Sequence, residues 1–270
     1  MSLAHLSTMF SYPFVVRAMI AGVLVSLCAS LLGILLVLKR YSMIGHGLAD
    51  VGFASLSLAL ALGTSPLYIS TPILIATSFV IMAISERHGV SGDLAIGVIS
   101  TGALAIGIII TALTKGFNID VYNYMFGSIL AVKNSDVFVS IILSAFVVAT
   151  FVLFYNKLLL VTCDEEFATA QEVNLTAYHF LISILTALTV VVGMRMMGTL
   201  LISSLIIFPA VTARTFAASF KTLVLSSAAT SVICFVVGMT FSFSFNLPVG
   251  ASVVVINILA MTTAQLLRRA

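Results

Sequence analysis

Two ionisable side chains, His46 and Asp50, lie four residues apart inside a long apolar run of the sequence. That spacing places both side chains on one face of a helix. If Tyr41 marks the membrane interface, a rise of about 1.5 Å per residue places His46 about 7 Å deep and Asp50 about 13 Å deep. The second depth is close to the midplane of a hydrocarbon core about 30 Å thick. An ionisable residue at that depth is costly, and it therefore indicates a functional site.

The chemistry that this pair favours is metal binding. An imidazole nitrogen together with a carboxylate oxygen suits zinc, manganese or ferrous iron, whereas calcium prefers a shell made only of oxygen atoms. The alternative is a buried contact between helices, in which Asp50 is protonated or is paired with His46. The sequence alone leaves both interpretations open, and metal binding is the one we pursue.

The other histidines and the cysteines form no comparable pattern. The three cysteines are isolated in the sequence, so they predict neither a disulfide framework nor a thiolate metal cage: Cys28, Cys163 and Cys234. Three histidines lie near termini or loops and are predicted to have no role: His5, His88 and His179. The candidate site therefore rests on His46 and Asp50.

The elements that position this pair must be membrane-spanning helices. The chain has 270 residues, of which 61% are hydrophobic and 8% are charged, and its mean hydropathy is +1.25. A typical soluble domain has about 25% charged residues, and this chain has too few polar groups to cover a water-exposed surface. Lipid is the solvent in which such a composition is stable. We predict an all-α, polytopic integral membrane protein with a single transmembrane domain over residues 1–270.

Apolar runs of nearly spanning length determine the predicted number of helices, since a spanning helix needs about 20 apolar residues. The sixth and seventh runs are short and meet at Arg195, where they could form one bent hairpin. The short apolar segment 121–132 is predicted to be a re-entrant or interfacial helix. We therefore expect eight or nine spans, from these runs: 14–38, 42–62, 67–84, 94–113, 136–155, 178–194, 197–213, 222–241 and 248–267.

Basic residues in the short loops predict the orientation. If the loop with Lys39 and Arg40 is cytoplasmic, alternation of nine spans places eight of the 12 basic residues on that side. The N-terminus is then outside and the C-terminus is cytoplasmic. The cytoplasmic residues would be Lys39, Arg40, Arg87, Lys157, Arg214, Lys221, Arg268 and Arg269.

Several motifs that would define other functions do not occur in the sequence. The chain has no GxxxxGK[ST] motif, so it cannot hydrolyse ATP through a P-loop. It has no HExxH or GxSxG element, which argues against an intramembrane protease or lipase. It also lacks an S4-like arginine ladder and a TVGYG filter, which argues against the commonest cation channels.

Three segments resemble the permease subunits of bacterial zinc/manganese-type ABC importers: 39–53, 124–130 and 192–214. The third is the most specific, because its Gly-x-Leu-Leu…Pro-Ala-x-x-Ala-Arg frame is long and free of gaps. The acidic loop that begins at Asp164 and the late segment 247–251 match as well, so the resemblance covers nearly the whole chain.

The resemblance implies an architecture like that of the vitamin B12 importer permeases, in the bacterial plasma membrane. It implies a homodimer with one translocation path, an ABC ATPase docked on the cytoplasmic side, and an extracytoplasmic metal-binding protein. It also implies that residues 209–221 belong to the surface that couples to the ATPase, in particular Pro209, Ala210, Arg214, Phe216 and Lys221. His46 and Asp50 would be the metal-binding residues.

At three positions the sequence departs from the family's pattern. The family's second span usually reads Gly-Asp-x-x-x-His, whereas here His46 stands in the place of the aspartate and Asp50 in the place of the histidine. Both ligand types are kept at the same spacing, and the carboxylate is the deeper one. Glu172 stands where the family commonly has glycine.

The predicted function is transport of Zn²⁺ or Mn²⁺ by alternating access, driven by ATP hydrolysis in a separate subunit. The chain itself is then not an enzyme and holds no permanent cofactor, because the metal is its substrate. One alternative is a permease for vitamin B12 or iron chelates. Another is a proton-coupled secondary transporter that uses His46 and Asp50 as a proton relay.

Overall fold

The computed structural model of the chain describes residues 11–88, 91–114 and 132–269, and every regular element within these ranges is a helix. The segment predicted to be re-entrant, 121–132, lies outside the described residues except for Val132. In chain order the helices are α1 (Pro13–Leu38), α2 (Ile44–Ala61), α3 (Pro66–His88), α4 (Gly92–Leu113), α5 (Asn134–Leu153), α6 (Tyr155–Cys163), α7 (Glu165–Ala170), α8 (Leu175–Met197), α9 (Thr199–Arg214), α10 (Phe220–Phe245) and α11 (Val249–Arg269).

Eight of the described helices are long and apolar enough to span a membrane, which confirms the predicted polytopic fold. They are α1, α2, α3, α4, α5, α8, α10 and α11. Helix α9 is apolar but has only 16 residues. The count therefore falls within the predicted eight or nine spans.

The break between the sixth and seventh predicted spans was placed wrongly at Arg195. Helix α8 continues for 23 residues to Met197, so it is a full span and not a short one. The chain turns at Gly198, whose φ is +86°. Glycine adopts that backbone conformation without the steric cost that a side chain adds, which explains why the helix ends there.

The described chain divides into two compact units, one formed by residues 11–34, 132–150 and 192–269. In this first unit, Asp136 near the start of α5 is buried and lies 3.4 Å from the guanidinium of Arg195. Asp136 Oδ2 also accepts a hydrogen bond from the backbone N–H of Lys133 at 2.9 Å. The guanidinium and this N–H together compensate the carboxylate for its loss of water.

The second unit, formed by residues 35–88, 91–114 and 151–191, contains the candidate pair on α2. Helices α2 and α4 pack closely because glycines lie at their contacts. A Cβ added to Gly47 would lie 2.5 Å from Ile96 Cγ2, and one added to Gly107 would lie 2.9 Å from the backbone Cα of Ala54. Small residues allow such close approach between helices in a membrane.

The short helix predicted in the acidic loop is found as α7, with Asp164 as its N-cap. The helix ends in a Schellman motif, in which the N–H of Val173 bonds to the carbonyl of Ala168 and that of Glu172 to Thr169, each at 3.0 Å. Glu172 is in the left-handed region, with φ of +58°. This is the conformation for which glycine is usual, as it is in the family that the sequence resembles.

Replacing Glu172 by glycine is expected to stabilise the protein by about 1 kcal/mol, because glycine has no Cβ to strain the left-handed backbone. For a chain of this size, that corresponds to a rise of roughly 2–4 °C in the midpoint of thermal unfolding in detergent. Glu166→Gly is the control, since Glu166 is helical within α7, where glycine costs up to about 1 kcal/mol. Equal effects of the two substitutions would contradict the explanation.

Candidate functional site

His46 and Asp50 lie side by side on α2, as their helical spacing requires. The distance between His46 Nε2 and Asp50 Oδ2 is 3.9 Å. The two side chains differ in environment, because that of His46 is 58% exposed and that of Asp50 is 18% exposed. The pair thus offers one nitrogen and one carboxylate group at the surface of a spanning helix, and its role in metal binding stays a prediction.

A third residue, Ser100 on α4, completes the arrangement, and nothing in the sequence pattern indicated it. Its hydroxyl donates a hydrogen bond to Asp50 Oδ2, the same oxygen that faces His46. Ser100 is buried. Because it is fifty residues from Asp50 in the chain, only the packing of α4 against α2 brings the two together.

The start of α2 is also held by α4. The backbone N–H of Met43, just before α2, donates to Asp93 Oδ1 at 3.1 Å. This N–H is at the N-terminus of the helix, where it has no acceptor within the helix, and the carboxylate of Asp93 satisfies it. Two contacts, one at the helix start and one at Asp50, therefore fix α2 relative to α4.

The residues expected to couple to an ATPase divide into two groups in the structure. Pro209 and Ala210 are buried within α9. Arg214 ends that helix and is exposed, Phe216 follows in the connection to α10 with 56% of its surface exposed, and Lys221 is exposed in the first turn of α10. An exposed aromatic flanked by two cations is suited to contact another protein, whereas the two buried residues are not accessible to one in this structure. The coupling role of the whole set stays a prediction.

A second polar cluster was missed, because His179 had been predicted to have no role. His179 is buried in the first turns of α8, and its Nε2 contacts the ammonium group of Lys39. The same ammonium lies 2.8 Å from Glu165 Oε1. The side chain of Lys39 is only 6% exposed, whereas that of Glu165 is 48% exposed, so a carboxylate at the surface compensates a largely buried ammonium group. No local pattern joins these residues, since Glu165 is 126 positions from Lys39.

Within the described ranges of one chain, no three His, Cys, Asp or Glu side chains are grouped so that they could hold a metal ion. All three cysteines are free, as predicted. A metal cage of the structural kind needs four protein ligands, and the described residues contain no such group. The pair of His46 and Asp50 offers two ligand groups, fewer than a closed cage needs.

The comparisons with known proteins agree with this fold. The chain belongs to the ABC 3 transport family, whose pattern matches residues 11–268. It is 30% identical over 248 residues to the manganese import system permease protein ScaB of Streptococcus gordonii, covering 92% of this chain and 89% of that relative. It is 28% identical over 238 residues to the high-affinity zinc uptake system membrane protein ZnuB of Haemophilus influenzae, covering 88% and 91%.

A solved structure has the same architecture. The structure of PsaBC from Streptococcus pneumoniae in complex with Fab matches with a TM-score of 0.84 and 27% identity, covering 98% of this chain and 95% of that one. The match confirms the all-α ABC permease architecture predicted from the sequence. The family, the fold and the eight spanning helices of the described residues together establish a multi-pass membrane subunit of an ABC transporter.

Proposed function

We propose that this chain is the membrane-spanning subunit of an ATP-driven importer of Mn²⁺ or Zn²⁺, in which two copies form one translocation path. The observation that carries the proposal is the pairing of His46 with Asp50 on a spanning helix. Relatives over nearly the full length are named for manganese and for zinc uptake, which supports a divalent metal as the cargo.

The chemistry of the pair suits transient binding of such an ion. Imidazole nitrogen and carboxylate oxygen are ligands for both Mn²⁺ and Zn²⁺. The described residues of one chain place no third His, Cys, Asp or Glu side chain with these two, so an ion bound to the pair keeps part of its water shell. Weak, incomplete coordination favours transport, because an ion that is held too tightly is not released.

The exposure of His46 supports a path shared by two copies of the chain. Ionisable side chains in membranes face a protein interior or a water-filled cavity, since contact with lipid is costly. With 58% of its side chain exposed, His46 is not enclosed by the protein within a single chain. A second copy, facing His46 across a water-filled path, would enclose this side chain. The two copies together would then offer two imidazoles and two carboxylates as metal ligands.

The energy for transport is assigned to a separate ABC ATPase, because the sequence has no P-loop of its own. Its docking surface is proposed to be the exposed part of residues 209–221, with Phe216 as a hydrophobic anchor between Arg214 and Lys221. An extracytoplasmic binding protein delivers the ion from the opposite side. In this orientation, the loop with Lys39 and Arg40 and the C-terminus are cytoplasmic.

The proposal is tested by uptake measurements in a bacterial strain that lacks the gene for this chain. Restoring the chain is expected to restore accumulation of radioactive manganese, radioactive zinc or both, and competition between the two ions identifies the preferred cargo. Uptake is expected to persist after the proton gradient is dissipated and to stop when ATP is depleted. The reverse result would establish the proton-coupled alternative, and uptake of a chelate but of neither free ion would establish a chelate permease.

A further inference from the structure

We propose that Ser100 is a positioning residue for the metal path, because it holds the Asp50 carboxylate in the orientation that meets the ion. This inference rests on the proposed function of His46 and Asp50. The inference adds a residue on a second helix, α4, to two residues that both lie on α2.

The hydroxyl groups of α4 differ in the acceptors to which they donate. Thr101 donates to the carbonyl of Gly97 at 2.8 Å, and Thr111 donates to the carbonyl of Gly107 at 2.8 Å while also lying 3.0 Å from Ser57 Oγ on α2. Each of these hydroxyls thus bonds four residues back within its own helix, which is the usual arrangement for a hydroxyl in an apolar environment. Ser100 differs from both threonines in its acceptor, since it donates to the carboxylate of Asp50 on α2.

The contact with Ser100 gives the two carboxylate oxygens of Asp50 different roles. Oδ2 accepts from Ser100 and is also the oxygen that faces His46 Nε2. Oδ1 takes part in neither contact, so it is the oxygen left for the ion. Ser100 therefore favours binding through one carboxylate oxygen, and it keeps Oδ2 from turning fully towards His46.

Without the hydroxyl, the Asp50 carboxylate is free to rotate. In the structure, Asp50 Oδ2 lies 3.9 Å from His46 Nε2. A small rotation of the carboxylate would bring these two atoms within hydrogen-bonding distance. A closed His46–Asp50 pair competes with the metal for both ligands. Partners that orient a ligating carboxylate typically change metal affinity or activity about 10–100-fold when they are removed.

The test compares Ser100→Ala, Ser100→Thr and Thr101→Ala in the uptake assay, with the amount of each variant in the membrane measured in parallel. Ser100→Ala is expected to raise the metal concentration for half-maximal uptake about tenfold or more, with a much smaller change in the maximal rate. Ser100→Thr keeps the hydroxyl and is expected to restore the wild-type concentration dependence. Thr101→Ala removes a hydroxyl that stays within α4 and is expected to behave as wild type.

Two outcomes would overturn the positioning role. One is a Ser100→Ala variant with unchanged half-saturation, and the other is a Ser100→Thr variant that is as defective as Ser100→Ala. Asp50→Asn in the same assay separates this inference from the proposed function. If Asp50→Asn transports normally, the metal site itself is wrong, whereas loss of uptake in Asp50→Asn with normal Ser100→Ala refutes only the role of Ser100.

Discussion

Asp50→Asn is expected to reduce metal uptake at least about 100-fold, because removing a ligand costs more than removing one of its supporting partners. The amide has nearly the same shape as the carboxylate, and its oxygen still accepts from Ser100, so the packing of α2 against α4 is kept. What is lost is the negative charge that attracts a divalent cation into the membrane. Uptake of radioactive manganese or zinc by the complemented deletion strain measures the effect.

The matched control for this substitution is Asp164→Asn. Asp164 is the N-cap of α7, where it accepts a hydrogen bond from the N–H of Phe167 at 2.9 Å. Asparagine caps helices about as well as aspartate, so this variant loses a carboxylate without losing the cap. Its uptake is expected to be close to wild type. Similar losses in both variants would mean that uptake depends on overall charge and not on the Asp50 site.

Gly107→Ala is expected to lower both the stability and the uptake of the protein. The added Cβ would lie 2.9 Å from the backbone Cα of Ala54 and 2.9 Å from Phe53 Cδ1, so α2 and α4 must move apart. Overpacking of this kind costs about 1–3 kcal/mol. Since Ser100 is about two helical turns from Gly107 on α4, the separation also weakens its contact with Asp50, and we expect uptake to fall roughly tenfold.

Gly102→Ala, in the same helix, is the control that separates the effect of disturbed helix packing from the effect of replacing a glycine in a helix. No heavy atom lies within 4 Å of the Cβ that alanine would add at Gly102. Alanine is the better helix former by about 1 kcal/mol, so this variant is expected to be as stable as wild type or slightly more stable. The midpoint of thermal unfolding in detergent measures both variants. A decrease in Gly102→Ala equal to that in Gly107→Ala would contradict the assigned helix contact.

The spanning helices could be predicted because their signal is local. A run of apolar residues with few charges identifies a span regardless of what packs against it, and the described helices confirm this. The break before α9 was misplaced because Arg195 appeared to interrupt the apolar run. The chain instead turns at Gly198, where the controlling property is a positive φ that hydropathy does not report.

The site was predictable only to the extent that it lies on one helix. His46 and Asp50 are neighbours through helical periodicity alone, so their spacing is visible in the sequence. Ser100 reaches Asp50 through tertiary packing between α2 and α4, to which Gly47 and Gly107 contribute. His179 and Lys39 meet in the same way, across 140 residues of chain. Pairing over such distances leaves no periodic pattern in a single sequence.

The burial of Lys39 has a consequence for how the protein enters the membrane. Lys39 is synthesised long before Glu165, which is 126 residues further along the chain. At about 5–20 residues per second, the ribosome needs roughly 6–25 seconds to make the partner. During that interval Lys39 is an uncompensated cation, and in the proposed orientation such a charge would retain its loop on the cytoplasmic side while the first helices insert. Once Glu165 and His179 have been made, the same charge joins distant segments of the folded chain. In the proposed orientation, one lysine would therefore first direct insertion and then stabilise the fold.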